Sequence, residues 1–395
     1  MKNTVADVTE YVKEEDVKFI RLAFCDVKGR IRNASVMPER LESAFKNGVS
    51  VDGSAVGFSP AEKSDLFLFP DPDTLTLLPW RPSHGRVARL FCAVKTPAGE
   101  PCPLDSRQIL KNAVAYAAKN GLSCDFGAEF EFYLFRLDEN GEKTYIPADR
   151  AGYMDVAPQD KCENVRREIC LTIEEMGLSP ERSHHEEGPG QNEIDFRYSD
   201  ALSSADHAVI FRNAAETIAY KNGFWASFQP KPLAEESGSG MHINVSVKSA
   251  DGRDVTESFL AGVLAKIKEM TYFLNNTEQS YQRLGKKKAP ETIGWGNENR
   301  TALIRIPAKG AGEGRRFELR SADGMANIYL AYALILYAGT DGVKNALPLG
   351  RESAGDLSAA GAGGEKLPQS LEEAKKIALN SEFIKKYVPK EFIEN

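Results

Sequence analysis

Apolar and polar residues alternate along Gly127-Ala128-Glu129-Phe130-Glu131-Phe132-Tyr133-Leu134-Phe135. The alternation predicts a strand with Glu129 and Glu131 on one face and Phe130, Phe132 and Leu134 on the other. Two carboxylates at i and i+2 of a strand stand about 7 Å apart and, at an effective dielectric of about 20, repel by roughly 2 kcal/mol. That face calls for a cation. The same parity recurs three times: Ile194, Phe196 and Tyr198 alternate with Glu193, Asp195 and Arg197; Ile243, Val245 and Val247 with His242, Asn244 and Ser246; Phe317 and Leu319 with Arg316, Glu318 and Arg320. Four strands with one apolar and one chemical face predict a single antiparallel sheet, packed on helices on one side and lining a cavity on the other. A one-residue slip would bury the charges.

The remaining pattern predicts an α+β chain. Before residue 100 it reads as a helix over 5–14, a strand from Val17 to Phe24, a turn at Asp26-Val27-Lys28-Gly29, a returning strand through Val36, and a helix from Pro38 to Lys46 stopped by Asn47-Gly48. Val51-Asp52-Gly53-Ser54 opens a long polar loop running to Asp65, followed by strands over 74–78 and 86–95. Pro97, Gly99, Pro101 and Pro103 punctuate the chain, dividing it into domains of residues 1–100 and 101–395. Helices are predicted over 106–120, 162–176, 204–222, 256–275 and 324–340; Ser353 to Gly364 reads as a mobile loop, and the last thirty residues return to helical patterning.

With 395 residues, 42% of them hydrophobic, the chain can bury a large core. A net charge of -7 argues against nucleic acid or an anionic membrane as the main partner. No apolar run is long enough to span a bilayer, and Met1-Lys2-Asn3-Thr4 leads into charged sequence. Cys25, Cys92, Cys102, Cys124, Cys162 and Cys170 are scattered without a C-x-x-C pair and read as buried thiols of a cytoplasmic protein.

Further chemistry lies in the loops. Ser183-His184-His185-Glu186-Glu187-Gly188-Pro189-Gly190-Gln191-Asn192-Glu193 brings Glu186 and Glu193 to either side of a Gly-Pro-Gly turn. The glycines of Glu236-Ser237-Gly238-Ser239-Gly240-Met241-His242 let backbone approach a ligand. Five or six carboxylates with one imidazole make an oxygen-rich, sulfur-free donor set suited to Mg²⁺ or Mn²⁺, and such ions commonly clamp nucleotide phosphates. There is no G-x-x-x-x-G-K-[ST], and Gly310-Ala311-Gly312-Glu313-Gly314 is a weak glycine signal. Arg283, Arg300, Arg305, Arg315, Arg316 and Arg320 crowd one region, and arginine suits a bidentate grip on carboxylate and phosphate.

The Asp52-Gly53-Ser54 loop, Glu129-x-Glu131, His185-Glu186, Gly190-Gln191-Asn192-Glu193, Gly238-Ser239-Gly240-Met241-His242, Ser280-Tyr281-x-Arg283-Leu284, Asn299-Arg300-Thr301, Ile304-Arg305-Ile306-Pro307 and Arg316-Phe317-Glu318-Leu319-Arg320 together resemble the class I glutamine synthetases, in order across nearly the whole chain. The resemblance implies a small β-grasp-like N-terminal domain and a large catalytic domain with a curved antiparallel sheet. It also implies stacked rings, a dodecamer first among them, with sites shared between subunits. The implied reaction makes γ-glutamyl phosphate from glutamate and ATP, then glutamine from ammonia. By position, Glu131, Glu186 and Glu193 would hold one metal and Glu129, His242 and Glu318 the other. Arg283, Arg320 and Gly238, beside Glu131 and His242, would bind glutamate; Arg300, Arg305 and Arg316 would meet the phosphates, and Tyr198, Asn244 and Ser246 the nucleoside. Asp52 from an adjacent subunit and Tyr153 would shape the ammonium pocket.

The resemblance breaks at the flap. Where the family carries a glutamate before Ala-Pro, this chain reads Gly285-Lys286-Lys287-Lys288-Ala289-Pro290, one residue shorter, with Lys288 at the catalytic glutamate's position. A lysine there repels ammonium and cannot accept a proton unless its pKa is strongly lowered. Glu291 is a nearby substitute. Ala55 replaces a serine, Ser237 an asparagine and Asn244 a frequent histidine. Two further readings follow: a γ-glutamyl ligase for a different amine, or a binding or scaffold protein of the same build that has lost catalysis.

Overall fold

The computed structural model describes residues 3–308, 314–359 and 363–394; of the glycine stretch 310–314 only Gly314 lies within them. A first sheet contains β1 (Val17–Cys25), β2 (Ile31–Val36), β3 (Val49–Asp52), β4 (Asp65–Pro70), β5 (Thr76–Leu77) and β6 (Arg86–Lys95), in the order β2-β1-β6-β4-β3 with β5 also on β6. β1 and β6 are parallel, and the other pairs are antiparallel. Helix α1 (Val5–Glu14) starts at a capping box between Thr4 and Asp7 and buries Val8 and Val12. Helix α2 (Leu41–Asn47) stops where Gly48 takes a φ of 72°.

The second sheet is larger and curls: β7 (Leu122–Leu137), β8 (Lys143–Pro147), β9 (Pro180–His185), β10 (Gln191–Phe196), β11 (Ser199–Asp200), β12 (Phe224–Ser227), β13 (Met241–Ser249), β14 (Trp295–Asn297), β15 (Ile304–Ile306) and β16 (Phe317–Leu319). Its path is β14-β15-β16-β13-β7-β10-β9, with β8, β11 and β12 also on β7. Every pairing is antiparallel except β14 with β15. Helices α3 (Ser106–Lys119), α4 (Glu163–Glu175), α5 (Ala201–Lys221), α6 (Thr256–Leu274), α7 (Glu278–Arg283) and α8 (Ile328–Lys344) intersperse with it, and α9 (Leu371–Asn380), α10 (Glu382–Tyr387) and α11 (Glu391–Glu394) close the chain.

The parity expected of β7 decides how this sheet packs. Phe126, Phe130 and Phe132 are fully buried. The ring of Phe130 lies 5.2 Å from that of Phe211 on α5, and Phe126 lies 4.4 Å from Tyr332 on α8. α8 is the central helix, with all but three of its 17 residues buried. It crosses α6 at contact distance: a Cβ on Gly262 would sit 2.2 Å from the Ala338 carbonyl oxygen, and one on Gly342 2.3 Å from that of Ser258.

Charge ties the end of the first sheet to helices that pack on the second. Arg107, buried on α3, donates to Asp71 at the end of β4 at 2.9 Å and to Asp206 on α5 at 2.8 Å; Tyr329 on α8 also donates to Asp206. Lys111 adds a bond to Asp71 at 3.1 Å. Among the described residues the six cysteines are free thiols, and no helix is long and apolar enough to cross a membrane.

The expected loop from Val51 to Asp65 is more ordered than its composition suggests. β3 and β4 bracket it, Asp52 pairs with Asp65, and two 3-10 turns fill the interval. The strand expected over 74–78 shrinks to Thr76–Leu77, because Pro72–Thr74 forms a 3-10 turn capped by Asp71.

Candidate active site

Strand register assembles the site. Glu129 on β7 stands opposite His242 on β13, and Asn244 on β13 stands opposite Glu318 on β16. On the other flank of β7, Glu131 faces Glu193 and Glu129 faces Asp195, while β9 places His184 against Glu193 and Arg182 against Asp195. Cross-strand neighbours on one face are within side-chain reach, so acids from distant stretches of sequence meet.

Two groups of donors result. In the first, His242 Nδ1 lies 3.6 Å from Glu129 Oε2 and 3.5 Å from Glu318 Oε1. Its Nε2 lies 3.9 Å from Glu131 Oε1. In the second, His184 Nδ1 lies 3.6 Å from Glu186 Oε1 and its Nε2 lies 3.4 Å from Glu193 Oε1. Ligand atoms within each of the groups Glu129, His242, Glu318 and His184, Glu186, Glu193 all lie within 4.8 Å of one another. Both sets combine carboxylates with one imidazole and no thiolate, so the residues fit a hard divalent cation. Glu131 lies between the groups, its Oε2 held by the Gly240 N–H at 2.7 Å.

Acidity reports the same crowding. Burial pushes Glu186 up to about 7, with repulsion from Glu131 adding to it, and pushes Asp195 up to about 6, with Glu129 adding. Glu193 rises well above its ordinary value through burial and then repulsion from Asp195, Glu131, Glu129 and Glu186. Glu129 goes the other way. Burial raises it, but hydrogen bonding and charge from His242, with a bond from Asn244, outweigh that and hold it at about 2.

Arginines brace the acids. Arg305 Nη1 donates to Glu318 Oε2 at 2.8 Å, Arg320 Nη1 donates to Glu318 Oε1, and Arg320 Nε donates to the Arg300 carbonyl at 3.1 Å. Asn244 Nδ2 donates to Glu129 Oε1 at 2.8 Å. Arg283 is buried and donates to the carbonyls of Ser321 and Arg320. A Cβ on Gly240 would sit 2.4 Å from Arg283 Nη2, and one on Gly238 2.8 Å from Arg283 Cγ. In this chain the glycines therefore make room for an arginine.

Beyond Glu129 the cleft opens into a cavity of about 850 Å³, lined among others by Gly127, Glu129, Tyr198, Asn244, Ser246 and Arg316. It has the bulk for a nucleotide. Tyr153 lies at the other end, its ring 5.4 Å from that of His184. Lys288 pairs with Glu187, and Glu291 is bonded to Lys366 at 2.6 Å. Asp52 is exposed on the edge strand β3, with its carboxylate accepting from the Ser54 N–H and hydroxyl.

His184, Arg182 and Asp195, to which the motifs give no role, also enter the site; of these Asp195 carries a signal in the sequence, the parity it shares with Glu193. A buried network next to Glu186 is likewise not legible in the sequence. His185 Nε2 bonds Asp149 at 2.9 Å, Arg166 pairs with Asp160, and Arg166 Nη1 donates to Asn192 at 2.6 Å. Asp149, Asp160 and His185 also cluster tightly enough for a metal, but the Arg166 guanidinium already supplies the cation there.

Residues 16–97 match the sequence model for "Glutamine synthetase, beta-Grasp domain" and residues 103–395 that for "Glutamine synthetase, catalytic domain". Proteins named glutamine synthetase from Methanosarcina mazei and Clostridium saccharobutylicum are each 43% identical, over 97% and 98% of this chain and 90% and 91% of the relatives. The Mycolicibacterium smegmatis relative is 38% identical over 95% of this chain and 90% of its own length. A solved structure described as "GmaS/ADP complex-Conformation 1" superposes with a TM-score of 0.89 at 30% identity, covering 98% of this chain and 94% of that one.

Proposed function

The chain belongs to the glutamine synthetase family, and from that premise we propose that it makes glutamine, activating glutamate with ATP and passing the acyl group to ammonia. As a family member it is an ATP-dependent ligase of glutamine synthetase type. The observation that carries the fuller reading is the register of β16, β13, β7 and β10, which faces Glu318, His242, Glu129, Glu131 and Glu193 onto one cleft beside a nucleotide-sized cavity.

On this reading residues 1–100 form the β-grasp domain and 101–395 the catalytic domain. Glu129, His242 and Glu318 hold one Mg²⁺ or Mn²⁺ and Glu131, Glu186 and Glu193 another, with His184 beside them. When bound, the ions neutralise phosphate oxygens. Tyr198, Asn244 and Ser246 line the nucleoside's place; Arg300, Arg305 and Arg316 steady its phosphates. Arg283, Arg320 and Gly238 receive glutamate, with Glu131 and His242 beside them. An oxygen of the glutamate γ-carboxylate attacks the terminal phosphorus of ATP and ADP leaves. The nitrogen lone pair of ammonia then displaces phosphate from the acyl carbon, and the surplus proton of ammonium is released. Asp52, supplied by a neighbouring subunit of a ring, and Tyr153 receive the ammonium. Free cysteines suit the reducing cytoplasm.

Purified protein given ATP, glutamate and ammonium is expected to release phosphate and form glutamine, each substrate being required. Absence of glutamate-dependent phosphate release with any amine would overturn the proposal. A second reading, an amine other than ammonia, is favoured by the three lysines of the flap, and a product assay in which another amine outcompetes ammonium would establish it.

A further inference from the structure

The flap lysine is not isolated. Lys288 Nζ pairs with Glu187 Oε1, and Glu187 Oε2 accepts from the Ser237 hydroxyl at 3.3 Å. These three residues come from the flap, the Glu186 turn and the glycine loop. Each anchor is tied to the site. The Glu187 N–H donates to Glu186 Oε2 at 3.0 Å, and the Tyr133 hydroxyl donates to the Ser237 carbonyl at 2.5 Å. Glu291, the other carboxylate next to the flap, is drawn away by Lys366, and it packs beneath Gly285, where a Cβ would lie 2.7 Å from its carboxylate.

Two departures from the family pattern, Lys288 and Ser237, therefore converge on one carboxylate. An unpaired lysine over the acceptor pocket would repel a cationic amine, whereas a lysine in contact with a carboxylate presents almost no net charge to it. We propose that Glu187 and Lys288 are a charge-exchanged pair that sets acceptor choice: the guarding anion comes from the Glu186 turn, the flap cation holds it there, and the pocket neither repels ammonium and small neutral-bodied amines nor draws in an amine bearing a carboxylate, as a bare lysine would. The inference deepens the reading above and rests on it. Lys286 and Lys287, both exposed, flank the pair, and the charge of Lys287 also reaches Glu187.

The test is a charge-swap cycle on the full chain with Lys288→Glu, Glu187→Lys and the double exchange, each assayed for phosphate release with ammonium chloride, methylammonium chloride and glycine. Each single variant places like charges together. Its KM for ammonium is expected to rise about tenfold with a smaller change in kcat, and the double exchange to recover most of that loss. Glu187→Lys, with two cations in contact, is expected to shift relative preference toward glycine. Lys288→Glu performing as well as or better than wild type with ammonium, or a double exchange no better than the worse single variant, would overturn the inference while leaving the ligase reading intact. Tryptic cleavage at Lys286 and Lys287 supplies a readout independent of turnover. The single variants are expected to be cut about fivefold faster and the double exchange at the wild-type rate, by the same cycle logic. Equal cleavage in all four proteins would sink the pair whether or not any amine is used, and wild-type inactivity with every amine would sink the ligase reading and the acceptor role with it, leaving only the pair's hold on the flap to the cleavage readout.

Discussion

At the scale of single residues, the site is an excess of carboxylate with too little charge to balance it. Glu186 is pushed up to about 7 and Asp195 to about 6, and Glu193 is also raised well above its ordinary value, burial being the main cause in each. Their folded values exceed the unfolded ones. The folded, metal-free chain thus holds extra protons between about pH 4 and pH 7, and these groups subtract stability as pH rises through that window. A divalent cation binds the deprotonated form, so its apparent affinity should climb over the same window. Calorimetric titration with Mn²⁺ in two buffers of different ionisation enthalpy is expected to show weak, proton-releasing binding at pH 6 and tighter binding with little release at pH 8. Asn244 lies one bond behind a donor, through Glu129 Oε1. Asn244→Ala should weaken Mn²⁺ binding by roughly 10–100-fold while the fold, followed by circular dichroism, is unchanged. The acids on β7, β10 and β16 were legible because charge and grease alternate there. His184 was not, because nothing in Ser183-His184-His185 tells which imidazole turns toward Glu193 and which is held by Asp149.

At the scale of elements, long patterned segments were readable and short ones were not. β7, β13, α3 and α6 stand close to where periodicity put them. β14 and β15, three residues each, have too few positions to establish a period, and β9 hides in Pro180–His185, where polar residues make a strand only because β10 lies beside it. The close crossing of α6 and α8 was likewise invisible, since Gly262 and Gly342 look like poor helix residues until the partner backbone is seen. A methyl group at 262 meets the Ala338 carbonyl oxygen, with no flexible side chain to yield. Gly262→Ala is therefore expected to destabilise by roughly 1–3 kcal/mol, despite alanine's better helix propensity, and to lower the midpoint of a thermal melt.

At the scale of the whole molecule, Arg107 links the end of the first sheet to helix α5. Burial raises the Asp71 carboxyl, but the charges of Arg107 and Lys111 outweigh it and leave it below the usual range. A depressed carboxyl contributes stability above the unfolded value, about pH 4, and loses it as pH falls through the folded value. Asp71→Asn should cost roughly 1.5–3 kcal/mol at pH 7, and the deficit against wild type should shrink below pH 4 in urea melts. The proposed ring with sites shared between subunits predicts complementation: Asp52→Ala and Glu129→Gln, each inactive alone, should regain ammonium-dependent phosphate release when refolded together and not when simply mixed as assembled oligomers. The sheet that carries the acids has one further consequence. β7 bears Glu129 and Glu131 and is also the strand on which five others pair, so the acid-bearing face cannot be remodelled without dismantling the scaffold. The flap and the Asp52 loop hang outside that framework. For the proposed reaction, descent with change is thus channelled to the rim, where a new nucleophile can be recruited by loop substitutions while the phosphorylation half is inherited intact.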